Sequence, residues 1–118
     1  MTAAQVVPLM ERSDARGFLV PLSQFVMGWN RAKDRASLVV REPSGDRRLV
    51  TKVAAVVRAL ADRDGVAVPA WVDGFVADED LTLSDIDIAS DYGRLIRDSS
   101  PPASSIHRVY FDAELLSR

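Results

Sequence analysis

Apolar residues recur along this chain mainly at three- and four-residue intervals, the spacing that places side chains on one face of a helix. The clearest run is Leu49, Val50, Val53, Ala54, Val57, Leu60 and Ala61. Asp46 precedes it as a capping acid, and Gly65 follows where a left-handed closing residue belongs. Arg48, Lys52, Arg58 and Asp62 fall on the opposite side, so this segment reads as a surface helix with one buried stripe. Upstream, Phe18, Leu22, Phe25, Val26 and Trp29 keep the same spacing, with Pro21 acceptable only in the first turn. That helix should end near Asn30–Arg31. Residues 2–12 add a helix or half-helix that Pro8 either starts or interrupts.

Between these helices, Leu38, Val39 and Val40 suit either a short helix from about Asp34 to Pro43 or a strand at 37–41, because a short apolar run has no decisive period. After Gly65, residues 66–72 read as a short helix or extended piece anchored by Trp71. A further helix is predicted to open at Ser84 or Asp85 and to carry Ile86, Ile88, Ala89, Tyr92, Leu95 and Ile96 until Ser99–Ser100–Pro101–Pro102 closes it. Val109–Tyr110–Phe111 is an extended piece before a capped final turn at 112–116. The expected fold is mainly α: one domain over residues 1–118, a bundle of about five short helices with at most a minor strand pair.

Composition narrows the class. In 118 residues, 47% are hydrophobic and 27% charged, a globular balance with room for one core. No run approaches the 18 apolar residues of a membrane span, and the first residues lack a basic start before an apolar block. With no cysteine, thiolate chemistry, disulfides and cysteine-held metals are excluded, and a cytoplasmic protein is expected. One histidine excludes a multi-histidine metal site. The net charge of −2 conceals an asymmetry, since residues 1–58 carry +5 and residues 59–118 carry −7. Eight acids crowd the stretch from Asp73 to Asp98. Such polarity either steers a partner or is neutralised by pairing between the halves.

Few motifs carry chemistry. Asp85 and Asp87 form a D-x-D that could hold divalent ions for nucleotidyl transfer, with Asp112 as a distant third acid. Gly74 is followed by Phe75 rather than serine, and only 31 residues follow Asp87, too few for that fold. First-turn acids of a helix are the better reading. Ser104–Ser105–Ile106–His107 lacks a nucleophile elbow or an oxyanion loop, so His107 is expected as a polar surface or capping residue. Trp29 and Trp71 are expected as core anchors. Arg31, Lys33, Arg35 and Arg41 could meet phosphates, although no clean helix–turn–helix accompanies them and the isoelectric point is near 5.3.

The stretch Ala59–Leu60–Ala61 through Asp64–Gly65–Val66–Ala67–Val68–Pro69–Ala70–Trp71–Val72 resembles the "helix, G-x-x-V-P-x-W" block of an actinobacterial group of small antitoxins encoded beside nucleotidyltransferase-like toxins. Ser100–Pro101 through Leu115–Leu116 stands where that group has an "S-P-x-x-F-R-R" block, here with Ser104–Ser105 replacing the aromatic and basic pair. The acidic Asp78–Glu79–Asp80 also replaces an aromatic-rich segment. The resemblance covers about residues 46–117 and implies a non-enzymatic protein that neutralises a cognate toxin. On that reading, Asp78, Glu79, Asp80, Asp85, Asp87 and Asp91 meet a basic cleft while Trp71, Phe75 or Leu81 anchors the contact. No cofactor or metal is implied. The alternatives are a DNA-associated regulator using Arg31, Lys33, Arg35 and Arg41, and, behind it, a metal-dependent nucleotidyltransferase. A homodimer through the Phe18–Trp29 face is a further expectation.

Overall fold

The computed structural model describes residues 1–13 and 19–118. The described chain is mainly helical: α1 (Ala3–Arg12), α2 (Val20–Arg31), α3 (Arg47–Asp64) and α4 (Asp91–Ser99), joined by short 3₁₀ turns at Ala36–Leu38, Ala70–Gly74, Pro102–His107 and Ala113–Ser117. Two short strands, β1 (Leu81–Thr82) and β2 (Val109–Tyr110), pair in parallel with Leu81 opposite Val109 and Thr82 opposite Tyr110. The radius of gyration is 13.0 Å, as expected for a folded chain of this length.

The longest helix forms where its end signals predict. The Asp46 side chain accepts from the Leu49 N–H at 3.2 Å, and Gly65 closes the helix at φ +67°. Its environment differs from the surface helix expected. Every residue from Val50 to Val57 is buried, as are Ala59, Leu60 and Ala61. α1, the 70–74 turn, the 102–107 turn and β2 all pack against α3, so the turns that the sequence presents as connectors cover the middle of the side assigned to solvent, burying Lys52 and most of Arg58, while Arg48 and Asp62 stay exposed as expected. Ala54, Ala55, Ala59 and Ala61 keep the helix slim enough for this.

α2 lays Leu22, Phe25, Val26 and Trp29 into the same core, all fully buried. Of the Phe18–Trp29 face expected to support a homodimer, these four residues are used internally, and Phe18 lies outside the described residues. Trp29 is the core anchor anticipated, and its indole N–H donates to Asp64 Oδ2 at 2.7 Å. Arg63 grips the same carboxylate through Nε and Nη2 and also donates to the Leu116 carbonyl and to Asn30 Oδ1. The ends of α2, α3 and the final turn thereby meet at one polar joint. The Asp64 carboxyl is held at about 2, first by Arg63 and then by Trp29 and Arg35, against the upward push of burial.

Residues 36–38 form a 3₁₀ turn, neither the longer helix nor the strand considered for 37–41. Val39 is buried behind it and Val40 is 71% exposed, so only half of the apolar run is core.

Candidate functional site

The loop after the 70–74 turn is docked on two consecutive residues, His107 and Arg108. The His107 ring Nδ1 meets the Phe75 carbonyl, and the Ala77 N–H donates to the His107 carbonyl at 3.0 Å. Arg108 Nη1 donates to the Asp78 carbonyl at 2.6 Å and its Nε to Asp80 Oδ1 at 3.0 Å. The Leu81 N–H closes the set on the Arg108 carbonyl at 2.9 Å, where β1 begins. Arg108 sits at φ +58°, a left-handed setting that turns the chain from the 102–107 turn into β2.

Beyond β1 the chain makes tight turns through residues 83–90, and α4 starts only at Asp91 with Ser90 as its cap, its Oγ accepting from the Gly93 N–H at 3.0 Å. The helix expected from Ser84 or Asp85 is therefore shorter, and Asp85 and Asp87 are not first-turn acids. Asp91 holds that place. Asp85 adopts φ +58° because its carboxylate is drawn inward, where Oδ1 accepts from Lys52 Nζ and Arg48 Nη2, each at 2.9 Å. Asp87 Oδ1 instead accepts from the Ala89 N–H. Gly93 is required, since a Cβ there would overlap the Asp87 carbonyl and lie 2.7 Å from the Ile88 Cα.

Lys52, assigned to the solvent face of α3, is fully buried and donates also to the Leu83 carbonyl at 3.1 Å. Burial lowers the Lys52 pKa, and the bond and charge of Asp85 recover only part of that shift. For Asp85, burial pushes the carboxyl up, and Lys52 with Arg48 outweighs it, leaving the group below its ordinary value.

The six acids expected to meet a partner divide into two kinds. Asp80 and Asp85 are held by Arg108, Lys52 and Arg48, whereas no ion pair among the described residues uses Asp78, Glu79, Asp87 or Asp91. Glu79, Asp80, Asp85 and Asp87 line one shallow depression of about 220 Å³, together with Arg48, Leu81, Ile86 and Ile88. Arg48, Glu79 and Leu81 also line the adjoining groove with Arg47, Asp78 and Val76, so the two depressions are contiguous and the groove carries arginines beside its acids. The expected apolar anchors are placed differently. Leu81 is buried in β1, Trp71 donates to the Val39 carbonyl at 2.8 Å, and Phe75 lies edge-on to Trp71 beneath the Arg47 guanidinium. Val76, Tyr92 and Leu95 are the exposed apolar residues near these acids in the chain.

The opposite charge asymmetry is partly internal. Arg35, Arg48, Lys52 and Arg58 of the basic half pair with Asp64, Asp85 and Asp73 of the acidic half. Of the basic residues considered for DNA, Arg35 is spent on Asp64 and the carbonyls of Trp29 and Asn30, leaving Arg31, Lys33 and Arg41 exposed.

His107 is not a surface residue. It is fully buried, its Nε2 accepts from Arg58 Nε at 2.8 Å, and Arg58 in turn pairs with Asp73. Burial lowers its pKa, and the Arg58 charge adds to this against the Phe75 carbonyl and Asp73. The nearby hydroxyls turn away, Ser104 Oγ to the Pro101 carbonyl and Ser105 Oγ to the Pro102 carbonyl, so no serine–histidine pair exists. Asp112 caps the final turn and opens onto a separate cleft with Tyr92 and Tyr110, apart from Asp85 and Asp87. Among the described residues no three His, Asp or Glu side chains are arranged to hold a metal ion, and no helix is long and apolar enough to cross a membrane. Sequence reasoning missed the structural roles of Lys52, Arg58, His107 and Arg108, because each is polar in an otherwise apolar stretch and helical period alone assigns such residues to solvent. Comparison with protein-family models, curated proteins and solved structures finds no match to this chain.

Proposed function

We propose that this chain is a non-enzymatic binding protein of the antitoxin type, acting in the cytoplasm, that neutralises a nucleotidyltransferase-type toxin by covering the toxin's basic substrate cleft. The observation that carries the reading is the division of the acids. Asp78, Glu79 and Asp87 are exposed without an internal cation around two adjoining depressions whose other acids are pinned by Arg108, Lys52 and Arg48, and Asp91 is exposed likewise at the start of α4. Pinned loops present charge in a fixed pattern, which lowers the entropy lost on binding. The outward charges raise the association rate with a basic partner, and exposed Val76 and Tyr92 offer apolar contact that slows release. The resemblance of residues 46–117 to antitoxins supplies the partner class.

The test is affinity capture with the tagged chain and with an Asp78→Asn/Glu79→Gln/Asp87→Asn/Asp91→Asn variant from native lysate at low and moderate salt. The amide replacements keep the Asp87 cap and the folded core while removing the outward charge. Stoichiometric capture of one nucleotidyltransferase-like protein by the parent chain, reduced in the variant, is expected. Equal capture by both removes the acidic mechanism, and no capture at either salt removes the antitoxin reading.

A further inference from the structure

The acid loop carries one titratable group in its fastening. Residues 75–81 make four backbone-directed bonds and one ion pair to His107 and Arg108, while the Phe75 ring rests on Trp71 at one end and Leu81 pairs with Val109 at the other. His107 is the only histidine in the chain, and its two ring nitrogens are committed in opposite senses. Nδ1 carries the proton given to the Phe75 carbonyl, so Nε2 is the lone-pair acceptor for Arg58 Nε at 2.8 Å. A second proton on the ring would sit on Nε2, facing the guanidinium at contact, with the ring fully buried and the Arg58 side chain mostly so. The charged groups that act on the ring are Arg58 from α3 and Asp73 from the 70–74 turn. Arg108, next along the chain, is turned to Asp80. Asp73 is already committed to Arg58 and lies mostly in solvent, so it compensates little.

We propose that His107 is a proton-operated clasp for the 75–81 loop, and that its protonation displaces Asp78 and Glu79 from the acid face and releases the partner. This rests on the binding role proposed above for that face. The physical sequence is direct. Protonation places two cations together, the ring leaves its slot between α3 and the 70–74 turn, and the Phe75 and Ala77 bonds go with it, so that polar fastening of the loop is left to Arg108 and to the start of β1. The folded protein resists the proton, so release belongs below the ordinary histidine range.

Amide hydrogen exchange on the full chain, alone, at pH 7.5 and 5.5 tests the clasp without any partner. After correction for intrinsic rates, protection at Ala77 and Leu81 is expected to fall at least tenfold while that of Ala54 and Val57 in α3 holds. His107→Asn retains a donor for the Phe75 carbonyl and cannot titrate, so its Ala77 and Leu81 protection is expected to be the same at both pH values. Unchanged protection in the parent chain overturns the proposal, as does loss that spreads equally to α3. With the captured partner in hand, its Kd is expected to weaken at least tenfold over the same step in the parent and not in His107→Asn. Equal affinity at both pH values, with the loop seen to open, overturns the release step. If no partner binds at all, the binding role fails, whereas the exchange result still decides the clasp.

Discussion

Asp85 and Asp87 look interchangeable in the sequence, and replacing each by asparagine separates them. Asp85 is the counter-ion of Lys52, whose ammonium is fully buried and also bound to the Leu83 carbonyl. Breaking a wholly buried ion pair by removing one partner costs roughly 3–5 kcal/mol. Here the Asp85 side chain is 53% exposed and Arg48 shares it, so solvent already screens part of the interaction. A cost of about 2 kcal/mol follows for Asp85→Asn at pH 7, equivalent to a drop in Tm of about 8 °C for a domain of this size. Asparagine tolerates the left-handed backbone at this position, so the loss reports charge rather than strain. Asp87 is exposed and only caps the Ala89 N–H, which asparagine can still do, so Asp87→Asn should stay within about 0.5 kcal/mol. Urea unfolding followed by circular dichroism measures both, with the same m-value expected throughout. Equal losses for the two variants, or an Asp85→Asn protein as stable as the parent, would refute the assignment of Lys52 as a buried ammonium held by Asp85.

Other features give sharper single readouts. Gly93→Ala drives a methyl into the Asp87–Ile88 backbone, which has no flexible atom to yield, and should cost about 2–3 kcal/mol in thermal or urea unfolding. Trp29→Phe keeps the ring in the core but removes the donor to Asp64, for a loss of about 2 kcal/mol at neutral pH. The folded-state pKa of Asp64 lies below its unfolded value, so its contribution is complete above about pH 3.8 and is lost as the pH falls toward about 2. Screened for its partial exposure, that contribution is about 1–2 kcal/mol, and Asp64→Asn should flatten the acid limb of a stability-against-pH curve. Tyr92→Ser and Leu95→Ser remove exposed apolar area from α4 and should leave the melting curve within about 0.5 kcal/mol.

The helical class, the bounds of α2 and α3, the buried Trp29 and the extended 109–110 piece before the capped final turn were legible because each rests on local signals, namely period, cap residue and closing glycine. What was not legible depends on which surface covers which. The 3₁₀ turns at 70–74 and 102–107 carry no strong period, yet they wrap α3 and bury Lys52 and His107. The Ile86–Ile88 alternation was read as the start of α4, but a long-range contact decides it. Lys52, more than thirty residues earlier in the chain, takes the Asp85 carboxylate and forces a turn where a helix would otherwise begin. The acids were read as one group. Only the fold could divide them into those that hold loops and those that face outward.

The proposal that the outward acids are the working surface is tested most directly by inhibition of nucleotidyl transfer by a captured partner of the proposed class. Increasing amounts of this chain and of the Asp78→Asn/Glu79→Gln/Asp87→Asn/Asp91→Asn variant would be titrated against the purified partner at two salt concentrations. Stoichiometric inhibition by the parent chain is predicted, with at least a tenfold weaker effect for the variant and a smaller salt dependence. Inhibition by the variant as strong and as salt-dependent as the parent's, or no inhibition by either, would contradict it.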